Sequence, residues 1–179
     1  MNKEVKWIAR SAAAIALIIA VQFTTAGLGQ QLLTGSLVNL ILALTALLFG
    51  WSVAVAAAAV SPFIAYLLGI NPQILVAPAI AVGNLTYVLV IALLVKLLQR
   101  KIPAEMVRNL IAVIAGAVCK FAVQYLLIVK WIAPSFLPAK VLPVMSVNFG
   151  VMQLFTACIG GVLACMICSV VGKGIKSRN

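Results

Sequence analysis

Long apolar runs dominate the chain, and they have the length of membrane-spanning helices. From Ser11 to Val95 there is no charged residue, and one span takes roughly 20 apolar residues. The apolar positions do not alternate with period two, as they would in the strands of a membrane barrel. The pattern predicts an all-α integral membrane protein with a single domain, residues 1–179. Its six transmembrane helices are expected over about residues 7–24, 35–49, 51–68, 74–98, 106–131 and 144–171.

The segments between these spans carry turn residues and most of the charge. Gly50 predicts a tight turn between spans two and three, and residues 69–72 an outer turn. Ser61-Pro62 predicts a kink in span three, where neighbouring groups must satisfy the carbonyl that Pro62 frees. The stretch 133–143, which contains three prolines, is expected to be a stiff outer loop.

The net charge of +11 is distributed along the chain in a way that predicts orientation. Lys130 and Lys140 fall on one side of the six spans, whereas most of the cations fall on the other side. By the positive-inside rule, both termini are therefore expected in the cytoplasm. This distribution argues against nucleic-acid binding. The cations on the predicted inner side are Lys3, Lys6, Arg10, Lys96, Arg100, Lys101, Arg108, Lys173, Lys176 and Arg178.

The residue types needed for catalysis or metal binding are scarce. The sequence has no histidine, and its only acidic residues, Glu4 and Glu105, lie on the predicted cytoplasmic side. General acid–base catalysis within the membrane therefore lacks its usual groups, and an enzyme is not expected. Four cysteines lie in predicted spans, but without histidine or a nearby acid we expect neither a metal site nor a cofactor. They are Cys119, Cys158, Cys165 and Cys168.

One cation, Lys120, falls inside a predicted span. Such a charge costs roughly 2.5–3.5 kcal/mol and usually marks a pathway or a binding site. At about 1.5 Å per residue, Lys120 lies roughly 18 Å beyond Arg108, in the outer half of the membrane. Snorkelling, or hydrogen bonding to helix carbonyls, is the alternative. With no buried acid to pair with it, Lys120 predicts an anionic guest such as a carboxylate.

Other polar side chains share this outer half, whereas the inner half of each span is almost purely apolar. Gln22, Asn84 and Gln153 are expected at the depth of Lys120, and Asn39 and Asn148 nearer the outside. The pattern predicts a cup that is open outward and closed below. Each amide could instead be a hydrogen-bonding link between helices. The predicted substrate-binding residues are Lys120, Gln124, Asn84, Tyr87, Gln22, Asn39, Asn148 and Gln153.

The first span carries a stripe of alanines, Ala12, Ala16 and Ala20, on one face. Small residues allow another helix to approach closely. The stripe therefore predicts either internal packing or docking to a partner membrane protein. The basic start and apolar run of this span also fit a signal peptide. The last span has a small face of its own, formed by Gly160, Gly161, Ala164 and Cys168.

The basic N-terminus, the alanine-striped first span and six spans in a chain of 179 residues resemble the substrate-binding S components of energy-coupling factor (ECF) transporters. The segments from Thr34 to Asn39 and from Pro78 to Asn84 are also similar to small bacterial members of that family. The resemblance implies capture of a vitamin or other micronutrient outside a bacterial cell, with the chain in the plasma membrane. It also implies docking, through the alanine face, onto a membrane T subunit driven by two ATPase subunits.

No GxxxxGK[ST] motif is present, so ATP hydrolysis is expected only of those partners. Two other classes compete with this interpretation. An autonomous ion-coupled carrier normally uses an acid within the membrane, which this chain lacks. A structural membrane subunit, such as an MreD-like protein, needs neither a polar cup nor Lys120.

Overall fold

The computed structural model describes residues 2–71 and 73–176, with side chains described up to residue 171. Pro72, at the end of a predicted outer turn, lies outside the described residues, as do the side chains of the predicted cytoplasmic cations Lys173, Lys176 and Arg178. The structure is 88% helix, and the described residues form no strand. The all-α prediction is therefore confirmed.

Eight α-helices and three segments of other helix types follow one another along the described chain. Five long helices come first: α1 Lys3–Ala26, α2 Gln31–Phe49, α3 Trp51–Leu67, α4 Ala77–Leu98 and α5 Glu105–Gln124. The short helices α6 Ala133–Phe136 and α7 Leu142–Asn148 precede the last long helix, α8 Val151–Lys176. A 3-10 turn, Ile74–Val76, leads into α4, a π-helix, Tyr125–Ile132, continues α5, and a second 3-10 turn, Ala139–Val141, leads into α7.

Five helical stretches of the described chain are long and apolar enough to cross a membrane. They are Lys3–Ala26, Gln31–Phe49, Ile74–Leu98, Glu105–Phe136 and Ala139–Val171. The third predicted span corresponds to α3, which is shorter at 17 residues. At about 1.5 Å per residue, α3 is about 25 Å long, slightly less than a hydrocarbon core of about 30 Å.

The structure differs from the predicted spans mainly in the last third of the chain. Span six was predicted as one helix over 144–171, but the helix is interrupted by a turn at Phe149 and Gly150, between α7 and α8. A Cβ added at Gly150 would collide with the backbone oxygen of Ser146, so this break depends on glycine. The predicted loop 133–143 is also partly helical. Pro134 and Pro143 lie in the first turns of α6 and α7, where a missing N–H costs no hydrogen bond.

The long helices pack in a closed cyclic order: α1, α2, α8, α5, α4 and α3, with α3 returning to α1. Helix α2 also contacts α3 and α4, so it is the most central. Its most extensive contact is with α8, where Gly160 faces the backbone of Ser36 and Leu40 so closely that a Cβ would not fit. Gly161 is equally close to Val113 of α5. The small face of α8 therefore allows it to pack against two helices at once.

Two local features, the turn at Gly50 and the proline within α3, follow the prediction closely. Gly50, with φ +84°, is a turn of a single residue between α2 and α3. Helix α3 continues through Pro62, which leaves the carbonyl of Ala58 without its usual partner four residues on. The hydroxyl of Ser61 donates to that carbonyl at 3.4 Å. The expectation that a neighbouring group satisfies the freed carbonyl is confirmed.

Candidate functional site

A cavity extends into the bundle from the end at which α1 meets α2 and α3 meets α4, here called the α1–α2 end. Its mouth is lined by Gln31 and Thr34 of the first turns of α2 and by Asn71 of the α3–α4 connection. Its inner part reaches Lys120. All six long helices contribute lining residues, and the cavity holds about 530 Å³ of atom-free space including its mouth. We call it the Lys120 cavity.

Lys120 is only 2% exposed, and few groups surround its ammonium. Nζ donates to Oδ1 of Asn39 at 2.6 Å and lies 5.6 Å from the centre of the Tyr87 ring, within the range of a cation–π contact. The two acidic side chains of the sequence, Glu4 and Glu105, lie in the first turns of α1 and α5. Lys120 is about 22 Å further along α5 than Glu105. No side-chain carboxylate therefore neutralises this cation.

The carboxamide of Asn39 is held in the orientation that Lys120 needs. Its Nδ2 donates to Oγ1 of Thr156 at 3.2 Å, and that hydroxyl donates to the backbone oxygen of Gln153, also at 3.2 Å. Because the donor end of the amide is occupied by α8, its acceptor end points to Lys120. This chain of hydrogen bonds joins α5, α2 and α8 at the inner part of the cavity.

A second polar cluster lies around Ser61, at the proline-containing part of α3. Nε2 of Gln22 donates to the backbone oxygen of Ser61 at 3.1 Å, and Nδ2 of Asn84 donates to its hydroxyl at 2.9 Å. Both amides are 3% exposed and line the cavity. Yet Oε1 of Gln22 and Oδ1 of Asn84 have no hydrogen-bond partner. Buried polar atoms are nearly always paired, so these two amide oxygens require an explanation.

Five of the eight predicted substrate-binding residues thus line one cavity: Lys120, Asn39, Gln22, Asn84 and Gln153. Tyr87 is fully buried next to it, and its hydroxyl donates to the backbone oxygen of Ala157 at 2.9 Å. Gln124 does not line it. It packs against Gly83 and donates to the backbone oxygen of Ile80 at 3.3 Å, so it links α4 to α5.

Asn148, the remaining predicted residue, lines a neighbouring space that we call the vestibule, which has about 720 Å³ of atom-free space including open solvent. The vestibule shares Gln31, Asn71 and Phe149 with the Lys120 cavity, and Lys140 contributes a cation to it. Asn148 and Gln153 line different spaces, and the helix is interrupted between them at Phe149 and Gly150.

Sequence reasoning missed Ser61 and Thr156 as parts of the site. Each is a small hydroxyl residue that hydrogen-bonds to a carbonyl three residues earlier in the chain. Such residues are common in apolar helices, and their spacing gave no signal. Ser61 was noticeable only because Pro62 follows it.

The alanine stripe of α1 faces away from the bundle. Ala12, Ala16 and Ala20 are all exposed. The buried face of α1 is formed by Ser11, Ala14, Ile18, Gln22 and Thr25. Internal packing of the stripe within this chain is therefore wrong, and the face is available to lipid or to another protein.

The chain was also compared with protein-family models, with curated proteins and with solved structures, and none of the three comparisons gave a match. The features that bear on function are therefore the geometry of the Lys120 cavity and the resemblance of the sequence to ECF S components.

Proposed function

We propose that this chain is the substrate-binding subunit of an importer, similar to an ECF S component, and that it captures a small micronutrient bearing an anionic group. The observation that carries the proposal is Lys120, a buried cation that lines a cavity and has no side-chain carboxylate beside it. A charge in this position is unfavourable for folding alone. An anionic ligand supplies the missing counter-charge, so its binding offsets the unfavourable free energy of burying the Lys120 ammonium.

The proposal includes an orientation. Six spans with both termini in the cytoplasm of a bacterial cell put the α1–α2 end outside, so the mouth of the Lys120 cavity faces the medium. The positive-inside distribution of the sequence supports this orientation. The short helix α3 then crosses with the help of local bilayer thinning or of flanking residues. The cavity serves capture from outside, and the chain has no nucleotide-binding motif to drive release inward.

The proposed partners are a membrane T subunit and two ATPase subunits, which hydrolyse ATP for transport. The exposed alanine stripe of α1 supports docking, because small side chains allow two helices to approach closely in a membrane. The identity of these partners depends on the sequence resemblance.

The test is to purify the full chain in mild detergent and identify co-purifying small molecules by mass spectrometry. A thermal-shift panel of vitamins and small carboxylates complements it, since a ligand that binds only the folded state raises stability by mass action. We expect at least one anionic compound to stabilise the protein in a concentration-dependent way, and Lys120→Met to abolish the effect. Equal stabilisation of the Lys120→Met variant would contradict the proposed site. No stabilisation of wild-type protein by any anion would favour a structural subunit instead.

A further inference from the structure

The Lys120 cavity contains two chemically different groups of side chains. One is the ammonium of Lys120, held by Asn39. The other is the pair of carboxamides Gln22 and Asn84, both anchored on Ser61. All of these residues line the same cavity. The proposed function uses only the first group.

We infer that the Gln22–Asn84 pair is a second recognition subsite, which accepts hydrogen bonds from an N–H or O–H group of the same molecule whose anionic group meets Lys120. This inference rests on the proposed function. It narrows the substrate class to small molecules with an anionic end and a neutral hydrogen-bond donor elsewhere, such as an amide, a lactam, a ring N–H or a hydroxyl.

Each amide of the pair has only one of its two polar ends hydrogen-bonded. The NH₂ groups are fixed by the two oxygens of Ser61, at 3.1 Å and 2.9 Å. The remaining atoms, Oε1 of Gln22 and Oδ1 of Asn84, are acceptors without a partner, although their residues are only 3% exposed. The backbone oxygen of Ser61 can only accept, so it orients the Gln22 amide. The hydroxyl of Ser61 donates its single proton to the backbone oxygen of Ala58, so it accepts from Asn84 and leaves Oδ1 of Asn84 as the free end.

The other amides near the site differ from the Gln22–Asn84 pair. Asn39 is satisfied at both ends, by Thr156 and by Lys120. Gln124 also has an unpaired oxygen, but it packs between α4 and α5 and does not line the cavity. Asn109 has an unpaired oxygen as well, and it does not line the cavity either. Among the described amides with an unpaired side-chain oxygen, only Gln22 and Asn84 line the cavity that Lys120 also lines. Their position favours a ligand contact.

The Gln22–Asn84 pair would also make the cavity selective among anions. A site that is built to hydrogen-bond a substrate N–H or O–H discriminates strongly against an analogue that lacks it, because the buried acceptors then remain unpaired. Lys120 alone would accept many anions. The pair would restrict binding to those that also carry a donor, which is useful for a protein that captures one nutrient from a mixture.

The test uses three compounds of similar size. Succinamate has a carboxylate and a terminal amide. Levulinate has the same skeleton with a methyl group in place of the amide NH₂, so it lacks only the donor. Butyramide keeps the amide and lacks the carboxylate. Each is titrated against the full-length protein in detergent, with thermal stability or calorimetry as the readout.

We expect succinamate to bind at least about tenfold more tightly than levulinate, which corresponds to 1.4 kcal/mol. Gln22→Met and Asn84→Leu should each reduce this preference without removing the binding of levulinate. Lys120→Met should abolish the binding of both carboxylates, and butyramide should bind weakly or not at all.

The outcomes separate the two proposals. Equal binding of succinamate and levulinate by wild-type protein would overturn the second subsite and leave the anion site intact. So would a preference that survives in both amide variants. A failure of both carboxylates to bind would overturn the anion site and this inference with it. If Asn84→Leu fails to fold, Gln22→Met alone decides, since Gln22 belongs to a different helix and its replacement keeps the side-chain length.

Discussion

Lys120 of α5 and Asn39 of α2, 81 positions apart in the chain, are joined by a hydrogen bond of 2.6 Å between Nζ and Oδ1. The ammonium can donate three hydrogen bonds, and among the described residues only Asn39 accepts one from it. A neutral amide stabilises the cation without cancelling its charge. The pair therefore leaves a positive charge on the wall of the cavity, whereas a salt bridge would have neutralised that charge.

Lys120→Met should remove anion binding and leave folding largely intact. The variant loses the hydrogen bond to Asn39, which is unfavourable, and removes an unneutralised buried charge, which is favourable. We expect the free energy of unfolding without ligand to change by less than about 1 kcal/mol, because the two effects oppose each other. Ligand-induced thermal shift is the measurement, and Lys130→Met, outside the cavity, is the control that should retain it.

The coupling between Lys120 and Asn39 can be measured with a double-mutant cycle. Asn39→Leu leaves the ammonium without its side-chain acceptor, but this penalty vanishes once Lys120 is methionine. We expect a coupling energy of about 1.5–3 kcal/mol in unfolding free energy, as for hydrogen bonds to charged groups. Asn109→Leu combined with Lys120→Met serves as the control. Asn109 lies three turns away on α5, so the changes in unfolding free energy caused by these two substitutions should add. Additivity of the Asn39 pair would show that the bond contributes nothing.

The hydroxyl of Tyr87 is expected to stabilise the fold beside the site without binding the ligand. Tyr87→Phe keeps the ring over Lys120 and removes the hydrogen bond from the hydroxyl to Ala157 of α8. We predict a loss of about 1 kcal/mol in stability, with anion binding retained. The measurements are thermal unfolding with and without the anion identified in the panel. Loss of binding in a folded Tyr87→Phe variant would instead assign the hydroxyl to the ligand.

Gly160 should be the most sensitive glycine at the contact between α2 and α8. An added Cβ would overlap backbone atoms of Ser36 and Leu40, which cannot move aside as a flexible side chain can. Gly160→Ala is expected to destabilise the protein by about 1–3 kcal/mol through overpacking. Gly27→Ala is the matched control, because nothing lies within 4 Å of its Cβ position. Similar stabilities of the two variants would mean that the helices separate at little cost.

The alanine face of α1 should matter for transport and not for capture. Replacing Ala12 and Ala16 together by Trp adds bulk to an exposed face without disturbing the buried face of α1. We expect ligand binding to stay at the wild-type level while uptake in cells that express the energising subunits is lost. Leu93→Trp, at an exposed position of α4, is the control that should retain uptake. Normal uptake by the Ala12/Ala16 variant would exclude this face as the docking surface.

The sequence alone determined the helical class, most helix boundaries and the presence of a buried cation. In a membrane, the backbone N–H and C=O groups of a long apolar segment can form all their hydrogen bonds only in a helix or a closed barrel, so hydropathy is a strong signal. The turn at Gly50 and the carbonyl freed by Pro62 are local effects of the residue type, so they can be predicted without knowing the fold. The depth estimate also brought Lys120, Gln22 and Asn84 to a common level, because rise per residue is constant along a helix.

Only the tertiary structure decided which polar groups meet. A residue or two of rotation moves a side chain from a cavity to a helix contact, which is why Gln124 lies between α4 and α5 and Asn148 in the vestibule. The interruption at Gly150 is a local feature, since the close approach is to the backbone oxygen of Ser146 four residues earlier, but the apolar pattern gave no sign of it. Whether the face formed by Ala12, Ala16 and Ala20 is buried or exposed could not be predicted from the sequence either. Small residues permit close contact, and only the packing of the other helices leaves that face uncovered.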